Sequence, residues 1–534
     1  MMARSAPPRT ALPRCERLYL LLLALCAAAP TYFLLAYIVA AIPFPYGLDY
    51  NEGIVWQQMN DIVAGRGYAP IGDFPAIVYH YPPVYHLLSA AVAALGIDPL
   101  SAGRIVSLVS TAGSTVLVMA LTKPWLGQDF SRGQRIAGMA GAAICLLVCG
   151  GVQDWAPLMR VDPLACFFAL SGLWFVIQAV ERPALIYWAG VALVLSVFTK
   201  QNSVLTAAAG LGVLLCHRPK LAARGIASCV LLGLAVLCLL VVQTHGRVLD
   251  HLILYNINRF DLARLVPNID EGTSATDRVM LALGIAGLIW AIARGGLRRG
   301  TTTISPAGTG MVVGRQATVA FALLATLSLV STAKYGSSSA YYMQWEAALA
   351  PFGGVSIALL LQTGTRLRQG GGRRTGSLCL ALPILAVLWV AVTTSPRHLR
   401  LVREFQAQGD TLAPLLRQIH GPILSTEMVL LLRTGHPVVW EPAIFRELSY
   451  AGCWDERTLV DRIRNHQIAA VLSDGQQGYR WFDEQFSPAI ATAMDQALPR
   501  KIHVGLRVLH LPAQPGDTLS ETPRAAAPQK SPAE

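Results

Sequence analysis

The chain has 534 residues, of which 54% are hydrophobic and only 14% charged, and its mean hydropathy is +0.47. A soluble globular chain carries about 25% charged residues, so the composition points to lipid. The formal net charge of +12 gathers in short loops between apolar runs rather than on one basic face, which encodes membrane topology and argues against nucleic-acid binding.

In chain order, Arg4, Arg9, Arg14 and Arg17 precede an uncharged apolar run from Leu18 to Ile42. A secretory signal has an apolar core of only about 7–15 residues, whereas this run is long enough to cross about 30 Å of hydrocarbon. It reads as a retained first span. Charge-poor runs of helical length follow at 101–122, 134–152, 163–180, 184–198, 201–216, 222–243, 276–293, 316–333, 341–362 and 378–394. In hydrocarbon each backbone polar group must be satisfied within its segment, so these runs predict helices. The segment 83–97 opens on Pro82-Pro83 and is short for a span; it is placed as a juxtamembrane helix in the interface.

Lys and Arg crowd the loops on the N-terminal side of this count, which sets the N-terminus in the cytoplasm. Residues 43–100, 153–162, 199–202, 244–275, 334–340 and everything after about 395 then lie outside. The expected fold is mostly α. It is a polytopic bundle of about eleven spans over 18–395, after a cytoplasmic arm at 1–17 and with a first outer loop at 43–100. In 396–512, Pro422–Ser425, Pro437–Trp440 and Ile468–Leu472 read as strands and Glu456–Asn465 as a helix, a small extracytoplasmic α/β domain. Residues 513–534, rich in Pro, Ala and Ser, read as a disordered tail. The cysteines, none in a C-x-x-C pair, read as small apolar packing residues.

Unusual chemistry collects in the outer loops. Asp49 and Glu52 follow the first span directly, and His80-Tyr81-Pro82-Pro83 closes the same loop. Two carboxylates at this spacing either cap a juxtamembrane helix or supply a general base. Asp162 precedes Pro163, as a helix start would, and Arg160 beside it can pair with that acid or meet a phosphate. Lys200 within Phe198-Thr199-Lys200-Gln201 must snorkel or find a partner, and Lys334 and Tyr341 flank a Gly-Ser turn. Acidic groups in the first loop thus face basic groups on other outer loops, an arrangement suited to deprotonating a hydroxyl while stabilising a departing phosphate.

The order of first span, acidic outer loop, Tyr-Pro-Pro, Arg-x-Asp-Pro and Phe-Thr-Lys-Gln resembles the bacterial family 39-like glycosyltransferases of the C-type superfamily, relatives of protein O-mannosyltransferases and lipid A aminoarabinose transferases. The resemblance covers about residues 18–395. It implies a multi-pass enzyme of the bacterial cytoplasmic membrane that moves a sugar from a polyprenyl phosphate to a hydroxyl of a glycan, lipid or protein acceptor outside, with inversion. It also implies a catalytic acid residue in the first outer loop. Here the family's acidic pair is Asn51-Glu52 with Asp49 two positions earlier, so either Asp49 or Glu52 is the base, Asp49 ahead with Glu52 as its orienting partner or acceptor ligand, and Asp162 falls where relatives have a second acid. Arg160, Lys200 and Tyr341 are implied ligands of the carrier phosphate, with Gln201, Lys334, His80 and Tyr81 as further substrate-binding candidates. No cofactor is implied beyond a divalent metal, for which no ligand is assigned; relatives often have a carboxylate near the position that is Gln344 here. The rival reading is a multi-pass transporter or lipid flippase, which would place ionisable groups at the bilayer midplane and often show repeated halves.

Overall fold

The computed structural model describes residues 14–256, 258–296, 306–393 and 397–513. The expected N-terminal arm up to residue 13 and the expected tail from 514 lie outside the described residues.

Helices occupy all eleven of the expected apolar runs. They are α1 (Arg14–Ala41), then, after α2 (Tyr50–Val63) and α3 (Val84–Ala93) in the first loop, α4 (Pro99–Thr122) and α5 (Arg132–Leu147). The short α6 (Gly150–Trp155) leads to α7 (Val161–Gln178), α8 (Leu185–Val197), α9 (Val204–His217) and α10 (Pro219–Gln243). The loop helices α11 (Arg247–Leu252) and α12 (Leu265–Gly272) precede α13 (Ala275–Ala293), α14 (Pro306–Ser328), α15 (Met343–Gln369) and α16 (Arg373–Thr393). Among the described residues eight helices are long and apolar enough to cross a membrane. The three expected spans outside that set, α5, α8 and α9, have 16, 13 and 14 residues. The chain is a multi-pass membrane protein.

Local signals start these helices where charge ends. Asp98 caps α4 by accepting from the Ser101 amide at 3.2 Å, with Pro99 in the first turn. Ser131 and Gln134 form a capping box on α5, as Ser274 and Asp277 do on α13. The bundle closes around α15: 83% of its apolar window is buried, against 11% for α10, which faces outward. Close approach there needs glycine. A Cβ at Gly287 would strike the Phe352 carbonyl oxygen, and one at Gly354 that of Gly138, so α13 and α5 meet α15 nearly backbone to backbone.

Beyond α17 (Arg397–Arg417), strands β1 (Ile423–Ser425), β2 (Ala470–Asp474), β3 (Arg500–Val504) and β4 (Arg507–Leu511) form one sheet in the order β1-β2-β4-β3. β1 runs parallel to β2, and β4 is antiparallel to both β2 and β3. Helices including α18 (Met428–Arg433), α19 (Pro442–Tyr450) and α20 (Arg457–Arg464) complete this α/β unit. Two expectations change. Pro437–Trp440 is not a strand; its contribution is an isolated bridge from Trp440 to Ala76 of the first loop. The β3–β4 hairpin, turning on Gly505 at φ 61°, is additional.

The unit is not a separate bead. Ala76 and Val78 belong to the same core as Trp440, Phe445 and Phe486, and the Ala76 amide donates to the Val439 carbonyl at 2.8 Å. Arg433 grips both Asp98 carboxylate oxygens at 2.6 and 2.8 Å and the Pro45 carbonyl at 2.7 Å. A Cβ on Gly53 of α2 would lie 2.5 Å from Met428 Cβ and Val429 N of α18. The first loop is thereby clamped between bundle and outer unit.

Candidate active site

Asp49 and Glu52 both begin α2, yet the structure gives them different environments. Asp49 is the helix N-cap: its Oδ2 accepts from the Asn51 amide at 2.8 Å and from Arg160 Nη1 at 3.0 Å. Its side chain keeps 16% exposure, and no hydrogen bond to Oδ1 occurs among the described residues. Glu52 is fully buried. Its Oε1 accepts from Arg104 Nε and the Met159 amide, both at 2.8 Å, and its Oε2 from Arg104 Nη2 at 2.7 Å and the Leu48 amide at 2.8 Å. Arg104 spends its remaining donors on the Ala41, Phe44 and Tyr46 carbonyls at 2.6, 2.6 and 2.9 Å. Of the two roles open to Glu52, base or orienting partner of Asp49, this environment favours the second. Four bonds saturate it, and taking up a proton would strand the Arg104 charge in a dry interior. Its physical work is positional, tying the start of α2 to Met159, next to Arg160.

From Asp49 a chain of alternating charge runs across three elements. Arg160, the extended N-cap of α7, pairs with Asp49 and lies 3.7 Å from Asp162 Oδ2 through Nε. Its guanidinium stacks 4.6 Å from the Trp155 ring centroid. Asp162, in the first turn of α7, pairs in turn with Lys200. The Lys200 ammonium sits 4.3 Å over the Tyr341 ring and 5.9 Å from that of Tyr81. Arg160, Asp162 and Lys200 are each under a tenth exposed. Burial favours neutral Lys200, but the Asp162 carboxylate outweighs it and holds the amine well above its ordinary range. The same opposition, with Asp49 as the larger attraction, keeps Arg160 charged. Lys200 is thus a permanent cation rather than a proton donor.

The other expected residues divide. Burial pushes the Tyr81 phenol up to about 12 and the His80 imidazole down to about 4. Gln201 Nε2 donates to the His80 carbonyl at 2.8 Å, fastening the Lys200 turn to the end of the first loop. Lys334 lies to one side: its backbone bridges Phe260, its ammonium reaches the Asn256 carbonyl at 3.5 Å and its charge acts on the His80 imidazole, while among the described residues no hydrogen bond or ion pair joins it to the Asp49–Lys200 chain. Gln344 bonds Thr206 Oγ1 at 2.8 Å. Sequence reasoning missed Trp155 as the platform for Arg160 and Glu441 behind α2. Glu441 is 5% exposed with an unpartnered Oε2, and burial pushes its carboxyl up to about 8; the Glu441-Pro442 step was its one visible signal.

Comparison with known proteins bears on this arrangement. Residues 80–245 match the model of the dolichyl-phosphate-mannose-protein mannosyltransferase family, a stretch that holds Arg160, Asp162 and Lys200. The apo oligosaccharyltransferase of Archaeoglobus fulgidus aligns at a TM-score of 0.51 and 10% identity, over 83% of this chain and 69% of that one. ArnT from Cupriavidus metallidurans aligns at 0.49 in the apo state and 0.48 when bound to undecaprenyl phosphate, with 15% and 14% identity, each over 90% of this chain and 97% of the other. No curated protein sequence matches the chain. Over residues 80–245 the chain is thus similar to the protein mannosyltransferase family, and its fold is similar to that of the archaeal oligosaccharyltransferase.

Proposed function

We propose that the protein transfers a sugar from a polyprenyl-phosphate carrier to an acceptor hydroxyl outside the cytoplasmic membrane, with inversion at the anomeric carbon. The observation that carries this reading is the line Asp49–Arg160–Asp162–Lys200, in which Asp49 is the carboxylate that keeps both partial exposure and an oxygen without a hydrogen bond, whereas Asp162 is buried between Arg160 and Lys200. Asp49 Oδ1 accepts the proton of the acceptor hydroxyl as its oxygen bonds to the anomeric carbon. The bond from that carbon to the phosphate oxygen breaks, and the polyprenyl phosphate leaves with the electron pair. The leaving group is already an anion, so it needs cations rather than an acid. Arg160 and Lys200, fixed by Asp162 and by the Trp155 and Tyr341 rings, supply them. A positioned general base contributes about 10²–10⁴ in rate.

The family that matches residues 80–245 is named for a dolichyl-phosphate-linked mannose and a protein acceptor, which supports a lipid-phosphate donor. The loop distribution of Lys and Arg supports a cytoplasmic N-terminus with the reactive face outside. The test is transfer by purified protein from a panel of polyprenyl-phosphate hexoses and pentoses. Wild type serves as the folded reference beside Asp49→Asn, with the Tm of each measured. Loss of transfer in folded Asp49→Asn is expected, and near-normal transfer by that variant removes Asp49 as the base.

A further inference from the structure

Three buried groups remote in sequence meet at the helix ends beside α6. Cys149 is the residue just before α6, Asp277 lies in the first turn of α13 and Glu346 in the first turn of α15. Each offers a ligand atom, and the three atoms lie within 4.8 Å of one another. The residues are 2%, 1% and 2% exposed. Asp277 is partly satisfied by the Gly150 amide at 2.5 Å and the Ser274 amide at 2.6 Å, and Glu346 Oε1 accepts from the Gly151 amide at 3.2 Å. Glu346 Oε2 is buried with no hydrogen-bond partner among the described residues. Neither carboxylate has an ion pair among them.

Two carboxylates and a thiol in a dry interior, with no cation beside them, carry a large desolvation cost. Gly150 and Gly151 make the cluster possible: a Cβ on Gly151 would strike Glu346 Oε2, and one on Gly150 would lie 2.9 Å from Asp277 Oδ2. The spare oxygen of Glu346 thus packs against Gly151, and the Cys149 thiol, which donates to the Cys145 carbonyl at 2.9 Å, lies within ligand reach of both carboxylates.

We propose that Cys149, Asp277 and Glu346 bind one divalent cation of the zinc class, with water as a fourth ligand. A mixed thiolate–carboxylate set suits a borderline ion such as Zn²⁺ rather than Mg²⁺ or Ca²⁺, which take oxygen ligands. Binding releases the thiol proton to solvent and leaves sulfur and carboxylates as direct ligands. The centre is distinct from the Asp49–Lys200 line and does not rest on the function proposed above. It joins the end of α5 and the start of α6 to α13 and α15. Because α6 ends on Trp155, whose ring carries Arg160, the ion fixes the platform for that guanidinium.

The full-length protein in detergent, loaded with Zn²⁺ and dialysed, should retain about one ion per chain by elemental analysis. Cys149→Ser and Glu346→Gln should each lose it, while Asp49→Asn keeps it. EDTA should lower the Tm of the wild type and leave that of Cys149→Ser unmoved. Should both variants fail to fold, Co²⁺ loading of the wild type decides alone: a thiolate-to-cobalt charge-transfer band is expected. No retained Zn²⁺ and no such band, or equal retention in folded Cys149→Ser, overturns the assignment.

Discussion

Arg104 holds Glu52 by two parallel bonds of 2.8 and 2.7 Å in the fully buried wall of the site, while Asp49, three residues earlier, turns one oxygen toward Arg160 and keeps the other unengaged. A difference of environment separates two carboxylates that sequence spacing treats alike.

The first prediction concerns that pair. Glu52→Gln leaves the Arg104 charge buried with half a partner and should cost about 3–5 kcal/mol of stability. Lower detergent-solubilised yield and Tm would show it. Arg104→Met should cost a similar amount, and the double variant markedly less than the sum. Additive losses would mean that the two residues do not act as a unit.

The cationic end of the site gives the second. Lys200→Met removes a fixed positive charge from the leaving phosphate and should lower kcat about 10²–10³-fold. Asp162→Asn should act through the same contact, so combining it with Lys200→Met adds little further loss. A steady-state comparison of the four proteins measures this, and independent, multiplicative effects would contradict it.

Glu441 supplies a pH dependence. Its carboxyl sits at about 8 when folded against an ordinary 4.5, so the native state binds a proton that the unfolded chain has released. The stability from this group is complete below about pH 4.5 and is lost as pH rises through 8. Glu441→Gln cannot ionise. Its Tm relative to wild type should therefore climb from pH 5 to pH 9, and parallel curves for the two proteins would exclude a protonated Glu441.

Gly53 tests the clamp on the first loop. Gly53→Ala drives a methyl into Met428 and the Val429 amide and should cost about 1–3 kcal/mol by overpacking. Limited proteolysis between the bundle and residues past 397 should accelerate. Unchanged cleavage would mean that α2 and α18 can part without consequence.

Most of the bundle was legible because lipid leaves a plain record. Helices fill every charge-poor run, and Arg160, Asp162 and Lys200 meet in one buried line. What escaped was pairing across the chain. Arg104 was visible as an arginine within an apolar run, and such a residue needs a partner, but nothing local says the partner is Glu52. Pro437–Trp440 carries strand-like residues, yet its neighbour is the first loop rather than the sheet. The β3–β4 hairpin had the period-2 pattern and a Gly turn. Cys149 read as packing because Asp277 and Glu346 lie on helices far along the chain.

The most direct measurement is a structure with undecaprenyl phosphate bound, in wild type and in Lys200→Met. The phosphate should lie within hydrogen-bonding reach of Lys200 Nζ and the Arg160 guanidinium, with Asp49 Oδ1 facing the side where an acceptor enters, and its occupancy should fall in the variant. A phosphate seated elsewhere, with the Asp49–Arg160–Asp162–Lys200 line untouched and the variant binding equally well, would contradict the transferase mechanism at its centre.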